Sequence, residues 1–130
     1  MTEDFLGTHR PLYEVKANLF KGLAHPVRVR VLEILAATPD TPVTELLADT
    51  KIEASRLSQH LSVLRQHHLV VSERRGSQVF YRLAYPRVAD LLATARILLV
   101  DILETTQRQL QNSSGNGRDQ SEPVPAETKG

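Results

Sequence analysis

The chain has 130 residues, 41% hydrophobic and 5% aromatic, and its 16 Lys and Arg against 15 Asp and Glu give a formal net charge of +1. That length allows one domain with a modest core, and a core of Leu, Val, Ile and Ala suits packed helices better than a sandwich. The chain has no cysteine, which excludes disulfides, thiolate metal sites and thiol redox sensing, no apolar run reaches membrane-spanning length, and the opening MTEDFLGTHR is acidic rather than a signal peptide, so a cytoplasmic protein is expected.

Met1 to Arg10 reads as a short flexible arm. Pro11 suits the first turn of a helix running to Leu23, in which Leu12, Val15, Leu19 and Leu23 form one stripe while Tyr13, Ala17 and Phe20 lie on a second side. So short a helix with two apolar sides needs two things to pack on, its own domain and a second subunit. His25 and Pro26 start the next helix, to about Ala37, with Val27, Val31, Ile34 and Leu35 as its buried stripe and Arg28, Arg30 and Glu33 facing outward. A histidine at a helix start is much more often a cap or a packed polar residue than a metal ligand. Thr38 to Pro42 is a turn by composition.

Thr44 is the expected N-cap of a short helix from Glu45 to about Asp49, anchored by Leu46 and Leu47. A tight connection follows, in which Ile52 plugs the core and Glu53 or Ser55 caps the next helix, Ala54 to His67. There Leu57, Leu61 and Leu64 share one face. The other face carries Ser55, Arg56, Ser58, Gln59 and Ser62, short or planar side chains suited to base edges or phosphates, and the helix's only charges are Arg56 and Arg65. Solvated helices usually mix Glu with Lys. A surface helix poor in acids by chance is the plain alternative, and its neighbours weigh against it. Short helix, tight turn and longer helix is the helix-turn-helix plan, whose second helix enters the major groove.

From Leu69 to Leu83, the strand formers Val70, Val71, Val79, Phe80 and Tyr81 flank Gly76 and Ser77, which predicts a β-hairpin with Arg74 and Arg75 at its tip and Gln78 beside them. Alone, this is equally an exposed hairpin guarding its edge with arginine. Directly after such a helix it is a wing, placed against the DNA backbone or minor groove. Between Ala54 and Arg82 the arginines 56, 65, 74, 75 and 82 face Glu73 alone, the footprint of a polyanion partner. The last helix, Arg87 to about Gln109, carries Val88, Leu91, Leu92, Ala95, Leu98, Leu99, Ile102 and Leu103 on more than one face. That surplus points to a partner helix, with Leu12, Val15, Leu19, Leu91, Ala95, Leu98 and Ile102 as the dimer interface. The folded domain spans 11–110, and 111–130, rich in Gly, Ser, Pro and charge, should be disordered.

The segments GLAHPVRVRVLEIL, VTELL, SRLSQHLSVLRQHHLV and ERRGSQVFYRL together resemble successive elements of the ArsR/SmtB family of bacterial winged-helix transcriptional regulators, over roughly Leu12 to Leu103. The S-x-x-S-x-H-L core is Ser55, Ser58, His60 and Leu61, with Arg56 at a variable position. The resemblance implies a mainly helical winged helix-turn-helix with a small β-hairpin, in the order α-α-α-α-β-β-α. It also implies a homodimer bound to double-stranded operator DNA, usually as a repressor released by an effector. It points to Ser55, Arg56, Ser58, Gln59 and His60 for groove contacts and to Arg74, Arg75 and Gln78 for the wing. His60 borders the leucine face, so an inward hydrogen bond stands beside DNA contact as its role.

Metal-sensing members of that family carry cysteines before the recognition helix, or acidic and histidine ligands in the last helix. Here the first region is TELLADT, and the last helix has Asp90, Asp101 and Glu104 but no histidine. Neither site carries over, so no metal or cofactor is expected, and DNA binding should be indifferent to arsenite, cadmium and thiol oxidants, with nickel or zinc held by histidines and carboxylates as the open alternative. His67 and His68 stand where the family often has a small residue and glycine, so one of them is expected in the left-handed region. No nucleophile, base and orienting residue assemble, nor any glycine-rich phosphate loop, so no enzyme is expected. The effector stays open between a small molecule and a partner protein. The competing reading is a winged-helix module that binds an acidic protein surface through Arg56, Arg74 and Arg75.

Overall fold

Leucines, valines and one tyrosine drawn from six elements and one connection make the core: Val31, Leu32 and Leu35, then Leu46, then Leu57, Leu61 and Leu64, then Leu69, Val70 and Tyr81, closed by Val88. The computed structural model describes residues 10–118, with side chains to residue 115. The elements among these residues are α1 (Leu12–Leu23), α2 (Pro26–Ala37), β1 (Thr41–Pro42), α3 (Val43–Thr50), α4 (Ala54–Gln66), β2 (Val70–Arg75), β3 (Gln78–Leu83) and α5 (Arg87–Arg118). The chain divides into two units, one ending at Leu92 and one beginning at Ala93.

In the first unit, α2, α3 and α4 meet through their apolar stripes, and burying each leucine of α4 contributes roughly 1.5 to 3 kcal/mol. Leu32, which the stripe read from sequence omitted, is fully buried beside Val31 and Leu35, whereas Val27 and Ile34 pack only partly. A 12-residue helix covered on two sides buries an arc wider than one stripe.

The segment expected as a turn contains a strand. Thr41 and Pro42 form β1, paired antiparallel with β3 in the register Thr41↔Tyr81 and Pro42↔Phe80, so the sheet order is β1-β3-β2. Thr41 is fully buried, and its hydroxyl donates to the Thr38 carbonyl at 2.6 Å. Two paired residues have no readable period, and Thr-Pro reads as punctuation. The strand also moves the start of the next helix. Thr44 is not its cap: α3 begins at Val43, directly after Pro42, whose φ of −73° and ψ of 151° hold the capping position extended without a side-chain bond. The helix ends at Lys51 in the left-handed region with φ 57°.

The hairpin forms as expected, with Val70 opposite Leu83 and Arg75 opposite Gln78. Gly76 turns it at φ +63°, and a Cβ there would meet nothing within 4 Å, so the need for glycine is one of backbone angle alone. Of the two histidines that follow α4, His68 takes the left-handed conformation, with φ 60°.

The second unit is helical from Ala93 to Arg118, past the end near Gln109 that the apolar stripe suggested. The sequence signal for that helix is its stripe, whose last residue is Leu103, whereas helical backbone bonds continue through polar residues. Residues 111–118 of the expected disordered tail are therefore helical, while 119–130 and the arm 1–9 lie outside the described residues. Every side chain from Ala93 to Gly115 is exposed, including Ile97, Leu98, Leu99, Val100, Ile102, Leu103 and Leu110. No described helix is long and apolar enough to cross a membrane.

Candidate nucleic-acid interface

The helix expected from the sequence to enter the groove is α4. Its leucines at 57, 61 and 64 are buried, which turns Ser55, Arg56, Ser58 and Gln59 outward into solvent and leaves Ser62 half-buried. Glu53 occupies the N-cap position without a side-chain cap, and its carboxylate accepts from the Ser55 hydroxyl at 3.4 Å. No acid lies in the first turn, so the free N–H groups and partial positive charge of the helix start are left facing outward beside Arg56.

Two further residues of α4 assigned to DNA from sequence, Arg65 and His60, have partners inside the protein. Arg65 donates through Nη1 to the Tyr81 hydroxyl, with its guanidinium 5.9 Å from that ring's centroid, and so docks the end of α4 on β3. His60 is half-buried and faces α2: its Nδ1 lies 3.2 Å from Arg28 Nη1, and its ring centroid is 4.2 Å from that of His25. A guanidinium only donates, so His60 Nδ1 accepts and the ring proton sits on Nε2. Burial first, then His25, Arg28 and Arg56, holds the His60 imidazole below its ordinary pKa.

Arg28, expected to face outward, is half-buried. Besides His60 it reaches the Gly22 carbonyl at 2.8 Å through Nε and the Lys21 carbonyl at 3.2 Å through Nη2. His25 is the N-cap of α2, its Nδ1 accepting from the Val27 amide at 3.1 Å. Close by, Gly22 admits the His67 ring so tightly that a Cβ there would stand 2.6 Å from His67 Cγ. Burial and the neighbouring Arg28 also lower the pKa of His67. Arg30, exposed as expected, forks onto Asp49 with two bonds of 2.8 Å and ties α2 to α3, raising its own pKa and lowering that of Asp49.

The two wing arginines differ. Arg75 donates through Nη2 to Asp40 at 2.7 Å and to Glu73 at 2.9 Å, and it stacks 4.4 Å above the Phe80 ring. These carboxylates, Glu73 first, raise its pKa further. Arg82 stands 3.7 Å from the same Glu73 oxygen. Arg74 and Gln78 are exposed, and no described side chain pairs with Arg74. Of the arginine excess counted from Ala54 to Arg82, Arg75 and Arg82 are thus partly neutralised within the wing, one of them by Asp40 from outside the segment counted. Among the described residues, Arg56 and Arg74 are exposed arginines of that stretch with no carboxylate partner, and Arg65 is a third, its bond being to the uncharged Tyr81 hydroxyl.

Of the expected interface residues, Leu12 is exposed while Val15 and Leu19 are half-buried, and Leu19 packs partly on the protein's own core. Tyr13 and Phe20, read as the second side of α1, are exposed. Leu91 is half-buried, and Ala95, Leu98 and Ile102 are exposed. The residues that sequence reasoning missed, Arg28, Asp40 and Tyr81, act through partners 16 to 35 positions away, a distance at which no sequence period operates.

A short helix, a tight turn, a longer helix with a polar outer face and an antiparallel hairpin define a winged helix-turn-helix. The model of the bacterial regulatory proteins of the arsR family matches residues 25–72. The uncharacterized HTH-type transcriptional regulator Rv0081 of Mycobacterium tuberculosis H37Rv is 44% identical over 108 residues, 82% of this chain and 94% of that protein. Its crystal structure superimposes with a TM-score of 0.69 at 46% identity, covering 75% of this chain and 97% of that one. Two further structures are similar. One is the homodimeric winged helix-turn-helix DNA-binding domain Mb0332 of Mycobacterium bovis, with a TM-score of 0.65 at 29% identity, covering 72% of this chain and 86% of that one. The other is the transcriptional repressor BigR of Xylella fastidiosa, with a TM-score of 0.61 at 35% identity, covering 66% and 87%. The chain belongs to the arsR family of bacterial transcriptional regulators.

Proposed function

We propose that the protein is a sequence-specific repressor that binds an inverted-repeat operator as a homodimer in the cytoplasm. The observation that carries this is the exposed, acid-free face of α4, fixed from behind by three buried leucines and followed in the chain by a hairpin whose Arg74 is exposed. Gln59 is suited to pair with adenine and Arg56 with guanine or a phosphate, while Ser55, Ser58 and Ser62 serve either role. Arg74 and Gln78 contact the backbone from the wing. Arg65, Arg75 and His60, bonded within the protein, set the placement of these groups.

The homodimer reading rests on apolar faces too large for a monomer to leave in water: Leu12, Tyr13 and Phe20 on α1, and Leu98, Ile102 and their neighbours on α5. Two-fold symmetry then sets the half-site centres about one helical turn apart, roughly 34 to 36 Å. The experiment is a mobility shift with the promoter upstream of the protein's own gene, against excess competitor at stated salt, with light scattering on the same sample. A shift that competitor abolishes as readily as the promoter does, or a stable monomer at micromolar concentration, refutes the proposal.

A further inference from the structure

We propose that Arg28 is a positioning residue for DNA recognition: by joining the carbonyls that end α1 to Nδ1 of His60, it sets the angle at which α4 presents its outer face. This rests on the reading of α4 as the recognition helix. Three different nitrogens of one guanidinium point at three acceptors, Gly22 O at 2.8 Å, Lys21 O at 3.2 Å and His60 Nδ1 at 3.2 Å. The fork suits that task and a lysine ammonium does not, because the rigid plane fixes the acceptors relative to one another. The two carbonyls belong to the last turn of α1, where carbonyls carry partial negative charge, so a cation is held there although the Lys21 carbonyl also accepts from the Ala24 amide at 3.2 Å.

His60 is where such a hold controls rotation. It stands three residues after Leu57 and four before Leu64, beside the buried stripe and next to the outward Gln59. The leucines press α4 onto the core without a directional bond. The Arg28 bond is directional, and it lies to one side of the stripe, where it resists rolling of the helix about its axis. Base pairing by Gln59 or Arg56 needs hydrogen-bond geometry at the groove edge, so a small roll costs sequence reading while phosphate attraction survives. The same guanidinium makes the end of α1, the helix whose Leu12, Tyr13 and Phe20 are exposed, continuous with the recognition helix.

The acceptor can be titrated. The groups facing His60 are Arg28 and His25 from the start of α2 and Arg56 from α4 itself, with no carboxylate among them. Protonated His60 has no acceptor at Nδ1 and opposes Arg28. Because His60 titrates below the ordinary imidazole value, the hold is complete above about pH 6.5 and is lost as pH falls through the lower folded-state pKa.

The test starts from a duplex that the wild-type protein selects out of random DNA, and the readout is the ratio of Kd on a scrambled duplex to Kd on the selected one. Arg28→Ala and His60→Leu should each lower that ratio about tenfold or more, the size of one lost base contact, and the double variant should lower it no further. His60→Asn, whose amide oxygen stands near the place of Nδ1, should keep the ratio. As pH is lowered from about 7.5 through the His60 folded-state pKa the wild-type ratio should fall, and that of His60→Asn should not, which separates His60 from the similarly buried His67. The His60 pair decides the matter independently of Arg28→Ala, because neither replacement removes the guanidinium from α1. Single variants that keep the wild-type ratio, a double variant that loses the product of both effects, or an Asn variant that behaves as Leu does would each overturn the positioning role alone. A wild type that selects no sequence would overturn the DNA-binding reading itself.

Discussion

Arg74→Ala removes the one wing-tip cation that no described side chain engages, and its effect should be read in the salt dependence of DNA binding. A protein that neutralises Z phosphates loses affinity with salt along a log–log slope of about −0.9Z on B-DNA. A homodimer presents two copies of Arg74, so losing both contacts should flatten that slope by about 1.8, and between about 50 and 200 mM salt the variant should lose about twelvefold less affinity than the wild type. Arg75→Ala should differ. Its guanidinium already lies 2.7 Å from Asp40 and 2.9 Å from Glu73, so its charge is matched before DNA arrives, and its removal should change the slope by less than half as much. Anisotropy titrations of the three proteins on one duplex across salt measure this directly. Equal flattening by both variants, or none by either, would show that the separation of a free from a committed wing arginine is wrong.

Gln59→Ala should cost roughly 1 to 3 kcal/mol on the selected duplex and little on scrambled DNA, and an equal loss on both would remove Gln59 from base reading. Leu98→Glu with Ile102→Glu places two charges on the exposed face of α5, where they should dissociate or unfold a dimer; an unchanged mass by light scattering would move the interface elsewhere. Gly22→Ala puts a Cβ 2.6 Å from His67 Cγ, and forcing the ring and the end of α1 apart should destabilise by about 1 to 3 kcal/mol; an unchanged urea midpoint would mean that the ring swings away freely.

The elements that the sequence determined by itself are those with a period or a punctuation mark. The stripe of Leu57, Leu61 and Leu64 located α4 and its outer face, Gly76 and Ser77 located the hairpin turn, and Pro26 after His25 located the start of α2 with its cap. The expectation of a left-handed residue at His67 or His68 followed from the absence of glycine at a helix end, and His68 adopts it. Groove-facing candidates were legible for the same reason: once a helix's buried face is known, its exposed face follows from 3.6 residues per turn.

Tertiary structure decided which polar residues remain available. Arg65, Arg74 and Arg75 look alike in the chain, yet one docks on Tyr81, one is open to solvent and one is held by Asp40 and Glu73 over Phe80. Arg28, on a face that reads as outward, turns to the carbonyls of α1 and to His60. A two-residue strand at Thr41–Pro42 exists only because β3 offers it an edge, and by forming it moves the start of α3 to Val43. Apolar burial repeats along a sequence because helices and strands repeat, whereas a hydrogen bond between side chains 32 positions apart depends on how the helices cross, which no local pattern records.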